Sequence, residues 1–488
     1  MIDNRQLKSK AVSGVIWNLV DAVGRRGLVF VFQILLARII APSEFGILGM
    51  VTIFIGIAET IAECGMTNAV IREKDTTQDE YSLVFFMNFG ISIVMYGILV
   101  VCSHVIATYF NEPKLIRIIP IIGIVIVLNA LSAIPKAIII KKMLFRKQAI
   151  ISIISVSTAG IVAICMARRG MGIWALVINT VLICVFEVIF SFLFIRWMPS
   201  VRFRCDALKK YFTFGWKLLA ASLISSIYEN IYSMIIGKKY SAVELGYYSN
   251  ASKISSTIAS SISQVAQKVS FPVMTQLQDS AEMLRRSYGK ILQYAAFLCF
   301  PTMIGLLAVS DSFINGVMGE EWIPAIPYLK MLCIIGMMMP VHRINLNILY
   351  VKGRSDLVLK LEILKKAIGL TLVGIAFFVS DNVIQMLCYS ILYETIAFLI
   401  NTHYSEALIG YSAKKQIADL MPIVCASVLM GVVVYAFNLT ALEWYVKLPL
   451  QIASGAMCYT VFSRIFAKEL FFEAVDILRK TIRRGNHG

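Results

Sequence analysis

The chain has 488 residues, of which 58% are apolar and only 15% charged, and its mean hydropathy is +0.77. A water-soluble protein carries about a quarter charged residues, and here the deficit runs the whole length of the chain, so a soluble fold with a single anchor is excluded. The net charge of +17 does not indicate nucleic acid, because the lysines and arginines sit in short clusters between apolar runs, where such clusters hold loops in the cytoplasm and meet anionic headgroups.

Taken in chain order, fourteen apolar segments are long enough to cross a bilayer: 11–38, 44–66, 81–108, 115–139, 148–167, 172–197, 211–237, 244–268, 290–310, 323–349, 357–379, 383–408, 416–437 and 445–467. Backbone groups in lipid must bond within their own segment, so these spans are predicted to be helices. They are too long, and lack the period-two alternation, for a β-barrel. The first is interrupted by Asp21, Arg25 and Arg26 and has no clear small-residue cleavage site, so it reads as an uncleaved span rather than a signal peptide. The eighth is rich in serine and contains Lys253. One connection, around 271–289, approaches twenty polar residues, and nothing outside the membrane is large enough for a domain.

Loop charges set the orientation. Every second loop, beginning with the N-terminus, carries clusters such as Arg72/Lys74, Lys141/Lys142/Arg146/Lys147, Arg202/Arg204/Lys209/Lys210, Arg285/Arg286 and Lys414/Lys415. The alternate loops are poorer in lysine and arginine and hold acids such as Glu112, Glu320, Glu321 and Glu443. The positive-inside rule therefore puts both termini in the cytoplasm. An internal echo accompanies this order: ARIIAPSEFGILGM (37–50) aligns with GKKYSAVELGYYSN (237–250) at an offset of 200. Arg38 pairs with Lys238, Glu44 with Glu244 and Gly46 with Gly246. Each stretch ends one span and opens the next, which suggests two six-helix halves plus two appended helices. The expected division is 1–200, 201–410 and 411–488, the last holding two helices and a basic tail.

Several stretches carry a family resemblance. They are AECGMTNAVIREKD (62–75), IPKAIIIKKMLFRKQA (134–149), GMGIWALV (170–177), FPVMTQLQDS (271–280), GEEWIPAIPYLK (319–330) and GRSDLVLKLEILKK (353–366). In order and spacing they resemble the polysaccharide transporter family, the Wzx-like flippases. That family lies in the superfamily that also contains MATE drug exporters and lipid II flippases. The resemblance implies an all-α fold of fourteen helices in two lobes around a central cavity that opens alternately to each side. It implies, as substrate, an oligosaccharide on undecaprenyl pyrophosphate in a bacterial inner membrane. It also implies a monomer at work alongside a polymerase and glycosyltransferases, with no catalysis and no cofactor.

Charges inside the spans are the candidates for transport, because a charge at the bilayer centre costs roughly 2.5–3.5 kcal/mol even on the mildest scale. In the first span Asn18, Asp21 and Arg25 share one face, with Arg26 beside it. Asp21 and Arg25 have the spacing of a pair. The positive charge left over suits a pyrophosphate, which guanidinium binds bidentately; a structural ion pair between helices is the other reading. Glu59 and Glu63, one turn apart, have the form of an ion-coupling site, or else each pairs with an arginine of the first span, or Glu63 lies at the cytoplasmic surface. In the second half Glu229 is a further coupling candidate. Lys253, Arg343, Lys365 and Lys366 are substrate candidates there, although Lys365 and Lys366 also fit a snorkelling role. Tyr228, Tyr232, Tyr247 and Tyr248 offer rings for sugars. His104 and His403 have no partner at metal-ligand spacing, no Cys/His cluster exists among the ten cysteines, and no GxxxxGK[ST] points to ATP hydrolysis. A cation-coupled multidrug exporter is the rival within the superfamily, and a membrane polymerase or ligase the rival outside it. The short external loops count against the latter.

Overall fold

A computed structural model describes the backbone of residues 4–63, 65–73, 76–200 and 206–485. Within these it describes the side chains outside 4–16, 18–19, 22–23, 206–218, 221, 355, 477–478 and 481–485. The helices are α1 (Asn4–Ala37), α2 (Pro42–Glu63), α3 (Met66–Arg72), α4 (Gln78–Val101), α5 (Ser103–Phe110), α6 (Leu115–Ile122), α7 (Ile124–Lys141), α8 (Phe145–Arg168) and α9 (Ile173–Ile195). They continue as α10 (Asp206–Lys239), α11 (Ala242–Gln276), α12 (Ala281–Phe313), α13 (Ile326–Val351), α14 (Ser355–Val379), α15 (Val383–Ile409), α16 (Ala413–Ala436), α17 (Trp444–Phe466) and α18 (Lys468–Gly485). There is no strand among the described residues.

Each of the fourteen apolar segments lies on helix, α4 with α5 and α6 with α7 forming one segment apiece. Among the described residues, nine helical stretches are long and apolar enough to cross a membrane. Serines and Lys253 in α11, and Gln451 and Arg464 in α17, dilute the apolar character of those two, so crossing by all fourteen is a proposal. Outward-facing apolar side chains such as Phe378 (84% exposed) and Leu439 (87%) leave most of their surface uncovered by protein. Lipid is the solvent that tolerates them. The polar connection expected around 271–289 is almost absent: α11 and α12 run through it, leaving 277–280 between them, with the Ser280 hydroxyl accepting the Met283 N–H. A hydropathy run measures the lipid crossing, and a helix continues past it wherever propensity and capping allow.

The chain forms two compact units, 1–249 and 250–488. In the first, α1 packs along α8 and α8 against α9, while α7 lies between α4 and α9 and α2 meets α4, α7, α9 and α10. Met66, Val84, Phe85, Ile134 and Trp197 form a buried cluster there. Thr77 and Glu80 close a reciprocal capping box at the start of α4. Gly65 takes φ 64° and separates α2 from the short α3, a break the apolar pattern did not reveal. The repeated segments meet one another. A Cβ on Gly46 would lie 1.6 Å from the Ala242 carbonyl oxygen, and one on Gly246 would lie 2.0 Å from that of Pro42. The echo is thus a reciprocal backbone crossing that only glycine permits.

In the second unit α12 contacts α13, α16 and α17, α13 lies on α15, and α15 carries α14. Tyr288, Met303, Cys333 and Ile344 are fully buried in it. Asn382 and Ser412 cap α15 and α16, and Gly410 at φ 65° ends α15 in a left-handed turn.

Candidate functional site

Four helices of the first unit bring charged side chains together inside an otherwise apolar bundle. Glu187 is the single acid of α9, and its side chain is only 4% exposed. Its Oε1 accepts from Arg25 Nη2 of α1 at 2.6 Å, and its Oε2 accepts from Lys136 Nζ of α7 at 2.6 Å. Arg25 and Lys136 are 43% and 37% exposed. One buried carboxylate therefore anchors two half-open cations. Arg25 donates its hydrogen bond to Glu187 rather than to Asp21, although the Asp21 carboxylate stays within electrostatic reach of Arg25. Asp21 instead has Ser152 and Gln148 of α8 as polar neighbours. An i,i+4 spacing permits a contact but does not compel it, and a two-oxygen acceptor on a facing helix competes better. Arg26 is half-buried next to Arg25.

Beside this cluster lies a cavity of about 340 Å³ lined by Glu59, Glu63, Asn68, Asn88, Asn129 and Lys136, with the small side chains of Ala133 and Ala137 leaving the room. Asn129 and Lys136 are seven residues apart, on one face of α7, and Asn129 Nδ2 donates to Glu59 Oε1 at 2.6 Å. Asn88 of α4 donates to Thr67 of α3 at 3.1 Å. The expectation that Glu59 and Glu63 each pair with a first-span arginine is corrected: Arg25 belongs to Glu187, and both glutamates look onto α7, with Lys136 as their nearby cation. Glu187 and Lys136 together add one negative and one positive charge, so the expected surplus of positive charge on the first span stands within this cluster.

The remaining candidates are not among the residues lining this cavity. Glu229 is exposed on α10. In the second unit Lys253 is exposed on α11 and Arg343 on α13. Lys365 is buried and pairs with Glu362 one turn away in α14 at 2.6 Å, while Lys366 is half-buried beside it. Tyr248 is buried at 9% exposure, whereas Tyr228, Tyr232 and Tyr247 are half-buried. Sequence reasoning missed Glu187, Lys136 and Asn129. A lone acid within the apolar segment 172–197 was a sufficient signal for Glu187. Lys136 was masked because its stretch, IPKAIIIKK, reads as the basic end of a span. No group of three metal-ligating side chains occurs among the described residues.

A helical, lipid-exposed bundle with buried charges converging from several helices is the architecture of a polytopic membrane transporter. The chain belongs to the family described as polysaccharide biosynthesis proteins, whose model matches residues 35–327, more than half its length. It is 26% identical to the teichuronic acid biosynthesis protein TuaB of Bacillus subtilis over 82% of this chain and 84% of that one. It is 26% identical to the lipopolysaccharide biosynthesis protein WzxC of Escherichia coli over 74% and 73%. It is 25% identical to the succinoglycan biosynthesis transport protein ExoT of Rhizobium meliloti over 65% and 64%. In fold it is similar to the lipid II flippase MurJ in an inward closed conformation, with TM-score 0.73, 16% identity and coverage of 93% and 99%. A multidrug resistance MATE transporter of the MOP superfamily, in an inward-facing conformation, follows with TM-score 0.56, 15% identity and coverage of 82% and 96%.

Proposed function

We propose that this protein is a flippase that carries undecaprenyl-pyrophosphate-linked oligosaccharides, precursors of a surface polysaccharide, across the bacterial inner membrane by alternating access. The observation that carries the reading is the Arg25–Glu187–Lys136 cluster at the edge of the cavity. Glu187 occupies, between two cations, the place of an anionic ligand. A pyrophosphate has more charge and more acceptor oxygens than one carboxylate, so it competes for Arg25 and Lys136 against the cost of leaving Glu187 with fewer partners. Two half-open cations on a buried carboxylate are positioned for such an exchange, because the acid stays fixed while the bases turn. Glu59, Glu63 and Glu229 are kept as ion-coupling candidates in this reading. Arg26, Lys253, Arg343 and Lys366 are the further contacts along the substrate path, and Lys365 is kept as a candidate whose buried pairing favours a structural role.

The protein is not an enzyme in this reading and uses no cofactor. It works as a monomer beside a polymerase and glycosyltransferases, with fourteen crossings, cytoplasmic termini and the lobe division 1–200, 201–410 and 411–488. The test is transport of an undecaprenyl-pyrophosphate oligosaccharide in proteoliposomes. Arg25→Gln and Lys136→Gln should each abolish it while the protein still inserts. Full transport by both variants refutes the cationic site. The carboxylate-rich cavity lends some support to the alternative, a cation-coupled multidrug exporter, which predicts efflux of cationic dyes and indifference to the lipid-linked sugar.

A further inference from the structure

A second polar cluster lies wholly in the unit 250–488. His342 sits on α13 two residues after Pro340, and Glu394 and Asn401 lie seven residues apart on one face of α15. His342 Nε2 is 2.7 Å from Glu394 Oε2, and His342 Nδ1 is 3.0 Å from Asn401 Nδ2. The His342 and Glu394 side chains are 15% and 22% exposed. Asn401 Oδ1 and His342 Nε2 are both buried without a completed hydrogen bond.

These contacts set what each form of the ring can bond to. An amide NH₂ only donates, so with Asn401 Nδ2 at 3.0 Å the neutral ring accepts at Nδ1 and carries its hydrogen on Nε2, which lies 2.7 Å from Glu394 Oε2 without completing a hydrogen bond to it. In this form the His–Glu pair carries one negative charge. When a proton arrives at Nδ1, that nitrogen becomes a donor and the amide NH₂ opposes it. A half-turn of the Asn401 amide brings in Oδ1, the atom that lacks a partner in the neutral state. The pair then becomes an imidazolium and a carboxylate with no net charge. Both states fit one volume, and the amide turn distinguishes them, which makes a two-state element at the contact between α13 and α15.

Several titratable groups on the elements packed against these helices are engaged elsewhere. Tyr288 of α12 bonds Asn345 and Gln416, and Lys290 of α12 pairs with Glu473. Lys365 of α14 pairs with Glu362, and Asp419 of α16 accepts from Tyr411. On α13, Lys330 pairs with Asp311, leaving Arg343 and Tyr350; Lys360 and Lys366 are the other bases of α14, and Lys414 and Lys415 those of α16. Arg285 and Arg286 lie on α12, and α15 itself adds Tyr389, Tyr393, His403, Tyr404 and Glu406.

We propose that His342, Glu394 and Asn401 form a proton-binding site that couples substrate movement to the proton gradient; this rests on the transporter reading above. The proton enters from one aqueous face, resides on His342 Nδ1 and leaves to the other, while Glu394 balances its charge and Asn401 reports it through the amide turn. The test uses the purified full-length chain in proteoliposomes, with an undecaprenyl-pyrophosphate oligosaccharide as probe and an imposed pH difference. In the wild type the gradient should accelerate flipping. In His342→Gln and Glu394→Gln the rate should be the same with and without it. Asn401→Asp, which offers Nδ1 only acceptors, should hold the ring protonated and also lose the response. An unchanged response in the folded variants, or a wild type that flips with no response, overturns the proposal. If the wild type moves no lipid-linked sugar at all, the transporter reading fails, and the proton site is decided by histidine carbon-13 spectra in detergent. A titrating signal that vanishes in His342→Gln supports it, and the absence of any such signal overturns it.

Discussion

Removing the charge of Glu187 tests the shared-carboxylate geometry most directly. Glu187 accepts two charge-assisted hydrogen bonds at 2.6 Å, and at roughly 1.5–3 kcal/mol each these sum to roughly 3–6 kcal/mol. Arg25 and Lys136 are about two-fifths exposed and recover hydration when released, so about half of that sum, ~2–3 kcal/mol, is the expected cost of Glu187→Gln. In a unit of this size that corresponds to a fall in melting temperature of roughly 5–10 °C. The single changes Arg25→Gln and Lys136→Gln should each cost only about 1 kcal/mol, because Glu187 keeps one cation. Making both leaves a 4%-exposed carboxylate alone, and the cost should rise to about 3–5 kcal/mol, well beyond the sum of the singles. Adding Glu187→Gln to that double variant should restore most of the loss. Thermal unfolding of the purified protein in detergent, followed by size-exclusion of the surviving fraction, reads all of these. Strictly additive single and double costs would show that the two bases do not share Glu187, and the exchange mechanism would fall with that result.

Lys365 and Glu362 should respond unequally. Glu362→Gln strands a 7%-exposed lysine at about 1–3 kcal/mol, whereas Lys365→Met leaves a hydrated glutamate, costs below ~1 kcal/mol and preserves transport; loss of transport in a stable Lys365→Met would make Lys365 a substrate contact after all. Gly46→Ala and Gly246→Ala drive a methyl into the Ala242 and Pro42 carbonyl oxygens and should sharply lower yield and melting temperature. Gly27→Ala, which meets nothing within 4 Å, should be neutral or stabilising by up to about 1 kcal/mol, and equal stability of the three would deny the crossing. In a cysteine-free background, an impermeant thiol reagent applied to intact cells should label Glu321→Cys and spare Met198→Cys; the reverse pattern inverts the topology. On α18, the Lys290 ammonium, together with the Tyr294 hydroxyl, holds the Glu473 carboxyl below the usual glutamate range. A depressed acid contributes stability above its unfolded pKa and loses it as pH falls through the folded one. Proteolytic release of the tail should therefore rise below about pH 4, in the range where glutamate protonates, and Glu473→Gln should show that release already at neutral pH.

Much of the fold was legible without coordinates. Each apolar segment is a helix because lipid leaves the backbone no other partner, and the offset-200 echo marked the places where α1 gives way to α2 and α10 to α11. Helix ends were less legible. The continuation of α11 and α12 through 271–289 depends on propensity and on the Ser280 cap, which hydropathy does not register. The break at Gly65 depends on a backbone conformation that glycine permits but does not enforce.

For the site, the sequence by itself determined that charges lie inside apolar helices, and cost alone made Asp21, Arg25, Glu59 and Glu63 candidates. Which of them meet was decided by the tertiary structure. Spacing along one helix offered Asp21 to Arg25, but Glu187, 162 residues away, takes Arg25 and shares itself with Lys136. His342 likewise finds Glu394 and Asn401 only when α13 lies on α15. A buried charge announces in the sequence that it needs a partner, because an unpaired one is too costly to keep. The partner's identity rests on helix rotation and packing between distant segments, and no local pattern along the chain encodes that.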